Sequence, residues 1–86
     1  MKNPKERKYK FENYKQHVLI DYDGTYKVLY CPSVSSVDVY SSRCVVVFHI
    51  PNSEDVEITR KNYTYIDKVL KQFESWGGNC PINFHN

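Results

Sequence analysis

Short runs of apolar, β-branched and aromatic residues, separated by turn-forming residues, occupy much of the first sixty positions and are typical of β-strands. Residues 17–22 form one such run, and residues 25–31 form a second in which every other residue is aromatic or β-branched. Asp23 and Gly24 lie between the two runs. Because a type I′ turn needs positive φ at both central residues, Asp-Gly at this place predicts a two-residue β-hairpin.

Three further segments of the first sixty residues complete the predicted strands. Residues 44–50 are dense in β-branched side chains and predict an interior strand, which ends at Pro51 because proline has no N–H to join the ladder. Residues 37–40 are expected to form a short strand or merely an extended segment. Residues 56–59 return as another short strand after a polar turn.

From about residue 61 the apolar period changes to that of a helix. One apolar face of an amphipathic helix over residues 60–77 is formed by Ile66, Val69, Leu70, Phe73 and Trp76. Thr59 or Thr64 is expected to cap its start. Gly77 and Gly78 are expected to end it, because glycine accepts the left-handed conformation found at many helix C-termini.

These elements predict one α+β domain, in which an antiparallel sheet of four to five strands is packed by one C-terminal amphipathic helix. We expect residues 1–13 to form a basic arm or edge strand, residues 14–59 the sheet, residues 60–77 the helix, and residues 78–86 a tail that folds back against the body. The predicted core contains eight apolar side chains, Leu19, Val28, Val46, Phe48, Ile66, Val69, Leu70 and Phe73.

Positive charge is concentrated at the start of the chain. Residues 1–15 carry six Lys and Arg against two Glu, whereas residues 16–60 carry three cations against six carboxylates. Lysines of the arm alternate with aromatic residues, a combination that lets cations follow phosphates while rings stack on bases at about 1–3 kcal/mol per base. The predicted nucleic-acid-binding residues are Lys8, Tyr9, Lys10, Phe11, Tyr14 and Lys15, with Lys27 and Arg43 added from the sheet.

Two resemblances bear on function. The predicted order of four strands and a helix is similar to the unit found in single-stranded nucleic-acid binders such as transcriptional positive coactivator four, Whirly and Pur-type domains. The chain has no alanine but 9 Lys, 8 Tyr and 7 Asn, and in this composition and in its size it resembles small accessory proteins of AT-rich bacteriophages. These resemblances imply nucleic-acid binding and action on host defence or host nucleic-acid enzymes.

We therefore expect a non-catalytic protein that binds RNA or single-stranded DNA and thereby inhibits a host nucleoprotein, defence system or toxin. The alternative is a protein-only inhibitor or antitoxin that docks on a host enzyme through its tyrosine-rich sheet or an edge strand. Three cysteines without close pairing favour a reducing cytoplasm, that of the host if the chain is phage-encoded. No membrane partner is expected, because the longest apolar run, residues 44–48, is far too short to span a bilayer. The oligomeric state stays open.

A repeated spacing, Cys44-x4-His49 and Cys80-x4-His85, raises a zinc hypothesis, since thiolate and imidazole are common zinc ligands. Residues five apart in a strand face opposite sides, so the first pair is not expected to share a metal. We predict neither a metal site nor a cofactor.

Catalytic chemistry finds little support in the sequence. His17 and His49 could serve as the acid and base of a small ribonuclease, with Lys27 or Arg43 steadying a phosphate, but no motif requires this arrangement. The carboxylates of the middle segment cluster at predicted turns, where Asp favours turn geometry. We therefore predict that the protein is not an enzyme.

Overall fold

The structure of the protein is a computed structural model and describes residues 17–86. The predictions made for Lys8, Tyr9, Lys10, Phe11, Tyr14 and Lys15 lie outside the described residues. The described elements, in chain order, are β1 (His17–Ile20), β2 (Tyr26–Leu29), β3 (Ser36–Tyr40), β4 (Val45–His49), β5 (Val56–Thr59), α1 (Tyr63–Ser75) and β6 (Ile82–His85). The predicted α+β class, with one helix following a set of strands, is confirmed.

β1 and β2 form the predicted hairpin as a separate two-stranded antiparallel sheet, but the turn differs from the prediction. Gly24 has a φ of +87°, whereas Asp23 does not adopt a positive φ. The prediction of a type I′ turn is therefore wrong. The Gly24 N–H donates to the Asp21 carbonyl at 2.9 Å, and the Asp21 N–H donates to the Thr25 carbonyl at 2.8 Å. A three-residue loop, 22–24, therefore connects the two strands, and Gly24 is its one residue in the left-handed conformation.

The other four strands form one sheet in the order β5-β4-β3-β6. β3, β4 and β5 pair antiparallel, as successive hairpins do. β6 instead pairs parallel to β3, with Ile82 opposite Val37 and His85 opposite Tyr40. This parallel pairing follows from the position of α1, which carries the chain back to the end of the sheet from which β3 starts.

Side-chain alternation gives the four-stranded sheet a core face and an open face. The core face contributes the buried residues Val37, Val39, Val46, Phe48 and Ile58. α1 covers this face with the buried residues Ile66, Val69, Leu70 and Phe73, and the rings of Phe48 and Phe73 lie 5.1 Å apart. Seven of the eight predicted core residues are buried. The prediction for Val28 is wrong, because 56 % of it is exposed and the neighbouring Leu29 is buried instead.

The ends of α1 correct one prediction and confirm another. Asn62, not Thr59 or Thr64, caps the start, because its side-chain oxygen accepts the Thr64 N–H at 3.1 Å. Thr59 still belongs to β5, and Thr64 already lies in the first helical turn. The predicted end is confirmed: Gly77 has a φ of +97°, and the Gly78 N–H donates to the carbonyl five residues earlier at 3.0 Å.

Candidate binding surfaces

One side of the β1–β2 hairpin carries four large side chains that are exposed to solvent. They are Val18 at 49 %, Ile20 at 52 %, Val28 at 56 % and Tyr26 at 71 %. Val18 pairs with Val28, and Ile20 pairs with Tyr26. Because directly opposite residues of an antiparallel pair project from the same side, these four side chains form one continuous apolar surface, which we call the hairpin face.

The opposite side of the hairpin anchors it to the body of the protein. Leu19 and Leu29 point inward and join the main hydrophobic core. At the loop, the Tyr22 N–H donates to the Thr59 carbonyl at 3.1 Å, and the Thr59 N–H donates to the Asp21 carboxylate. The hairpin therefore docks by one side and by its loop, and this fixes the hairpin face toward solvent.

The two described cations of the predicted nucleic-acid site lie on different elements. Lys27 is half-buried on β2 and projects to the same side as Leu19, away from the hairpin face. Arg43 is exposed at the end of the 3₁₀ turn between β3 and β4. The two side chains therefore lie on separate elements, and their role in nucleic-acid binding stays a prediction.

Arg43 belongs instead to an aromatic cluster on the open face. Its guanidinium carbon lies 4.5 Å from the centroid of the Tyr40 ring, and the Tyr40 and His85 rings stack with centroids 4.8 Å apart and an interplanar angle of 17°. We call Tyr40, Arg43 and His85 the aromatic corner. Sequence reasoning did not find it, because Tyr40 and His85 become neighbours only through the parallel pairing of β6 with β3.

Beside the aromatic corner, Asp38 binds two histidines. Its two carboxylate oxygens lie 2.6 Å from His49 Nε2 and 2.9 Å from His85 Nε2. His49 Nδ1 lies 3.1 Å from a carboxylate oxygen of Asp55. Since ionised carboxylates only accept hydrogen bonds, His49 satisfies both contacts when both of its ring nitrogens carry protons.

Titration of this cluster follows from its hydrogen bonds. The bond to Asp38, and secondarily that to Asp55, raises the pKa of His49. The bonds from His85 and then from His49 lower the pKa of Asp38. The cluster therefore favours an anionic Asp38 beside a cationic His49, an arrangement in which opposite charges largely cancel on this part of the open face.

The cysteines and the histidines of the zinc hypothesis lie on different sides of the sheet. His49 and His85 meet at Asp38 on the open face, whereas Cys44 and Cys80 pack against the core. Burial raises the pKa of the Cys80 thiol and raises that of Cys31 to about 11, which disfavours the thiolates that bind metal. Within residues 17–86, no group of three or more His, Cys, Asp or Glu is arranged to hold a metal ion.

The described part of the chain is acidic overall. Residues 17–86 carry six Lys and Arg against eight Asp and Glu. Asp38 and Glu57 lie on the open face, and Asp55 lies beside it against His49. Among the described residues of this surface, Glu57 adds a negative charge outside the histidine cluster, which disfavours a polyanion there.

The chain matches no protein-family model, no curated protein and no solved structure. Its function is therefore inferred from its own surfaces. No helix within residues 17–86 has the length and apolar content that a membrane crossing requires.

Proposed function

We propose that this chain is a non-catalytic binding protein that docks on another protein through the hairpin face. The observation that carries this proposal is the exposure of Val18, Ile20, Tyr26 and Val28 on one side of an anchored hairpin. Large contiguous apolar patches on single chains are often functional. Burying apolar surface contributes about 25 cal/mol per Å², so covering four half-exposed side chains of this size offers a partner several kcal/mol.

The surroundings of the hairpin face indicate the chemistry of the partner. None of its four side chains is charged, so the matching surface is apolar. The Asp23 carboxylate lies at the hairpin loop, and hydrogen bonding to Thr25 lowers its pKa, which keeps it negative at neutral pH. We therefore propose a protein partner with an apolar groove bordered by Lys or Arg at the position that receives the loop.

The setting of this interaction is also part of the proposal. Cys31, Cys44 and Cys80 are free thiols, which fits a reducing cytoplasm. We propose that the docked partner is a cytoplasmic enzyme of the host cell and that docking inhibits it, as an antitoxin or anti-defence protein does.

Capture of partners from the cells that encode the chain tests this proposal. The tagged full chain is incubated with cell extract, treated with RNase and DNase, and its retained proteins are quantified. We expect a protein that withstands nuclease treatment and that the Ile20→Thr/Val28→Thr double variant retains at least tenfold less well. Threonine keeps the β-branched shape that strands favour, so folding is preserved.

The matched control is Tyr65→Thr, which removes a similarly exposed aromatic side chain from α1, far from the hairpin in sequence. This variant is expected to retain the partner as the parent chain does. Loss of every retained protein after nuclease treatment, or equal retention by the double variant, contradicts docking through the hairpin face.

The aromatic corner supports nucleic-acid binding as a second candidate function. Tyr40 and His85 offer stacked rings on an open sheet face, and Arg43 adds a cation beside them. These are the groups that hold unpaired bases and phosphates in single-stranded nucleic-acid binders. A titration with short RNA and DNA oligomers at two salt concentrations tests this candidate, and no binding at low salt removes it.

A further inference from the structure

Among the strands that the structure describes, β6 pairs with β3 alone, along one side. The Val37 N–H donates to the Pro81 carbonyl at 3.0 Å, and Val37 lies opposite Ile82. In a parallel ladder, alternate residues of a strand direct their backbone groups toward the neighbour. Asn83 and His85 therefore bond toward β3, and the N–H and C=O groups of Ile82 and Phe84 point away from the sheet.

The two edges of the four-stranded sheet differ in how they are covered. Beside β5 lies the hairpin loop, whose Tyr22 N–H reaches the Thr59 carbonyl. Beside β6 no described strand is paired on the outer side. β6 also contains no Lys, Arg, Asp, Glu or Pro, the residues with which natural edge strands discourage pairing.

The side chain of Phe84 marks the same open edge. It is 60 % exposed, although its neighbour in the ladder, Val39, is fully buried on the core face. The ring therefore sits at the boundary of the core with one side uncovered. A strand added along the outer side of β6 would place its own side chains against this ring.

We propose that β6 pairs antiparallel with β6 of a second copy of this chain, so that two four-stranded sheets become one continuous sheet. This goes beyond the proposed function, which the hairpin face carries. The outward groups of Ile82 and Phe84 fix the register, because Ile82 then lies opposite Phe84 of the partner subunit and forms a hydrogen-bonded pair with it. The two-fold axis passes beside Asn83, and the two symmetric pairs supply four backbone hydrogen bonds.

A second copy fits this edge because β6 is its own complement. Ile82 and Phe84 lie on either side of Asn83. A two-fold rotation about Asn83 therefore places Ile82 of one copy opposite Phe84 of the other, and Phe84 opposite Ile82. On the core side, each exposed Phe84 ring meets Ile82 of the partner subunit. On the open side the strand carries Asn83 and His85, and His85 lies 2.9 Å from the Asp38 carboxylate of its own chain, so like charges do not oppose pairing.

A single cysteine on the axis tests this arrangement. Residues opposite each other at a non-hydrogen-bonded antiparallel position have Cα atoms about 4.5 Å apart, within the range that a disulfide bridges. Asn83 is exposed and occupies this position. We expect Asn83→Cys to form a covalent dimer under mild oxidation in at least half of the chains.

The matched control is Asn79→Cys, which places an equally exposed cysteine before β6 and off the axis. It and the parent chain, with its three native thiols, are expected to give at least fivefold less dimer. Adding Phe84→Lys to Asn83→Cys places a lysine at the pairing edge and is expected to lower the dimer yield by the same factor. Phe84 is largely exposed, so the melting temperature should stay within a few degrees, which separates loss of pairing from loss of folding.

Light scattering of the full chain gives an independent readout. We expect a mass that rises toward that of two chains as the concentration increases, in the parent and in Ile20→Thr/Val28→Thr alike, since the hairpin face is not involved. A single-chain mass at every concentration, or equal crosslinking of Asn79→Cys and Asn83→Cys, overturns the proposal. Pairing of β6 only after another protein is added also overturns it.

Discussion

The carboxylate of Asp38 connects three strands on the open face. It accepts from His49 on β4 and from His85 on β6, while it belongs to β3 itself. The two histidines enclose a side chain that is 21 % exposed, and His85 also stacks on Tyr40. Because no other described ion pair links strands in this way, Asp38 is the residue through which pH acts most directly on the described sheet.

Replacing Asp38 by Asn is expected to destabilise the protein in a pH-dependent manner. The pKa of His49 is raised in the folded state. The stability that His49 contributes is therefore complete below its ordinary pKa of 6.5 and is lost as the pH rises through the folded pKa. The pKa of Asp38 is lowered, so its contribution is complete above 3.8 and is lost as the pH falls through the folded pKa. The loss of stability in Asp38→Asn should therefore be greatest between these two values.

Denaturant unfolding of the parent and of Asp38→Asn from pH 3 to pH 9 measures this difference. The matched control is Asp67→Asn, which removes an exposed carboxylate that contacts Lys71 at 3.3 Å on α1. Exposed pairs of this kind contribute little, so the control should stay close to the parent at every pH. A difference for Asp38→Asn that is constant across the range contradicts the assigned hydrogen bonds.

The end of α1 depends on a close approach between backbone and core. A Cβ atom added at Gly78 would overlap the ring of Phe73, which is only 2 % exposed and is held by Phe48. A Cβ added at Gly24 meets nothing within 4 Å, although the φ of +87° disfavours any side chain there. The two glycines are therefore required for different reasons, one for space and the other for backbone conformation.

These two reasons predict different losses of stability. Gly78→Ala is expected to lower the free energy of unfolding by about 3 kcal/mol, the upper part of the usual range for overpacking a core. Gly24→Ala is expected to cost about 1–2 kcal/mol, the penalty of a left-handed residue that has a Cβ. Equilibrium unfolding of both variants checks this order. A Gly78→Ala variant as stable as the parent would show that Phe73 is free to move.

Elements fixed by local pattern were predictable, and those fixed by distant contacts were not. β4, β5 and α1 follow from β-branched density, from proline and glycine, and from a helical period, all of which lie within the segment concerned. β2 has large side chains at both phases of its alternation, because Leu29 neighbours Val28 and Tyr30. The pattern therefore did not indicate which face is buried, and the anchoring of Leu29 in the core decided it.

The same limit applies to the candidate surfaces. The hairpin itself was predictable, but its exposed face was not, because Val28 carries the same signal whether it points inward or outward. Arg43 was selected for its charge, whereas its neighbours Tyr40 and His85 are 45 residues apart and meet only when β6 joins β3. A parallel pairing of this kind depends on how α1 packs, which no short window of sequence contains.

Taken as one molecule, the described chain separates the exposed apolar residues of the hairpin face from the ionic cluster of the open face. The hairpin face is uncharged, the open face carries Asp38 with its two histidines, and the exposed ring of Phe84 lies at the β6 edge. Large contiguous apolar patches often mark sites of protein contact. This distribution is the basis on which we propose two separate places for protein contact, the hairpin face for another protein and β6 for a second copy.

The most direct test of docking through the hairpin face is methyl NMR of the full chain. The chain is titrated with the partner protein that the pulldown retains after nuclease treatment. We predict that the methyl signals of Val18, Ile20 and Val28 shift or broaden as the partner is added, while those of Val45 on the open face stay unchanged. Shifts confined to the open face, or seen only when RNA or DNA is added, would contradict the hairpin face as the docking surface.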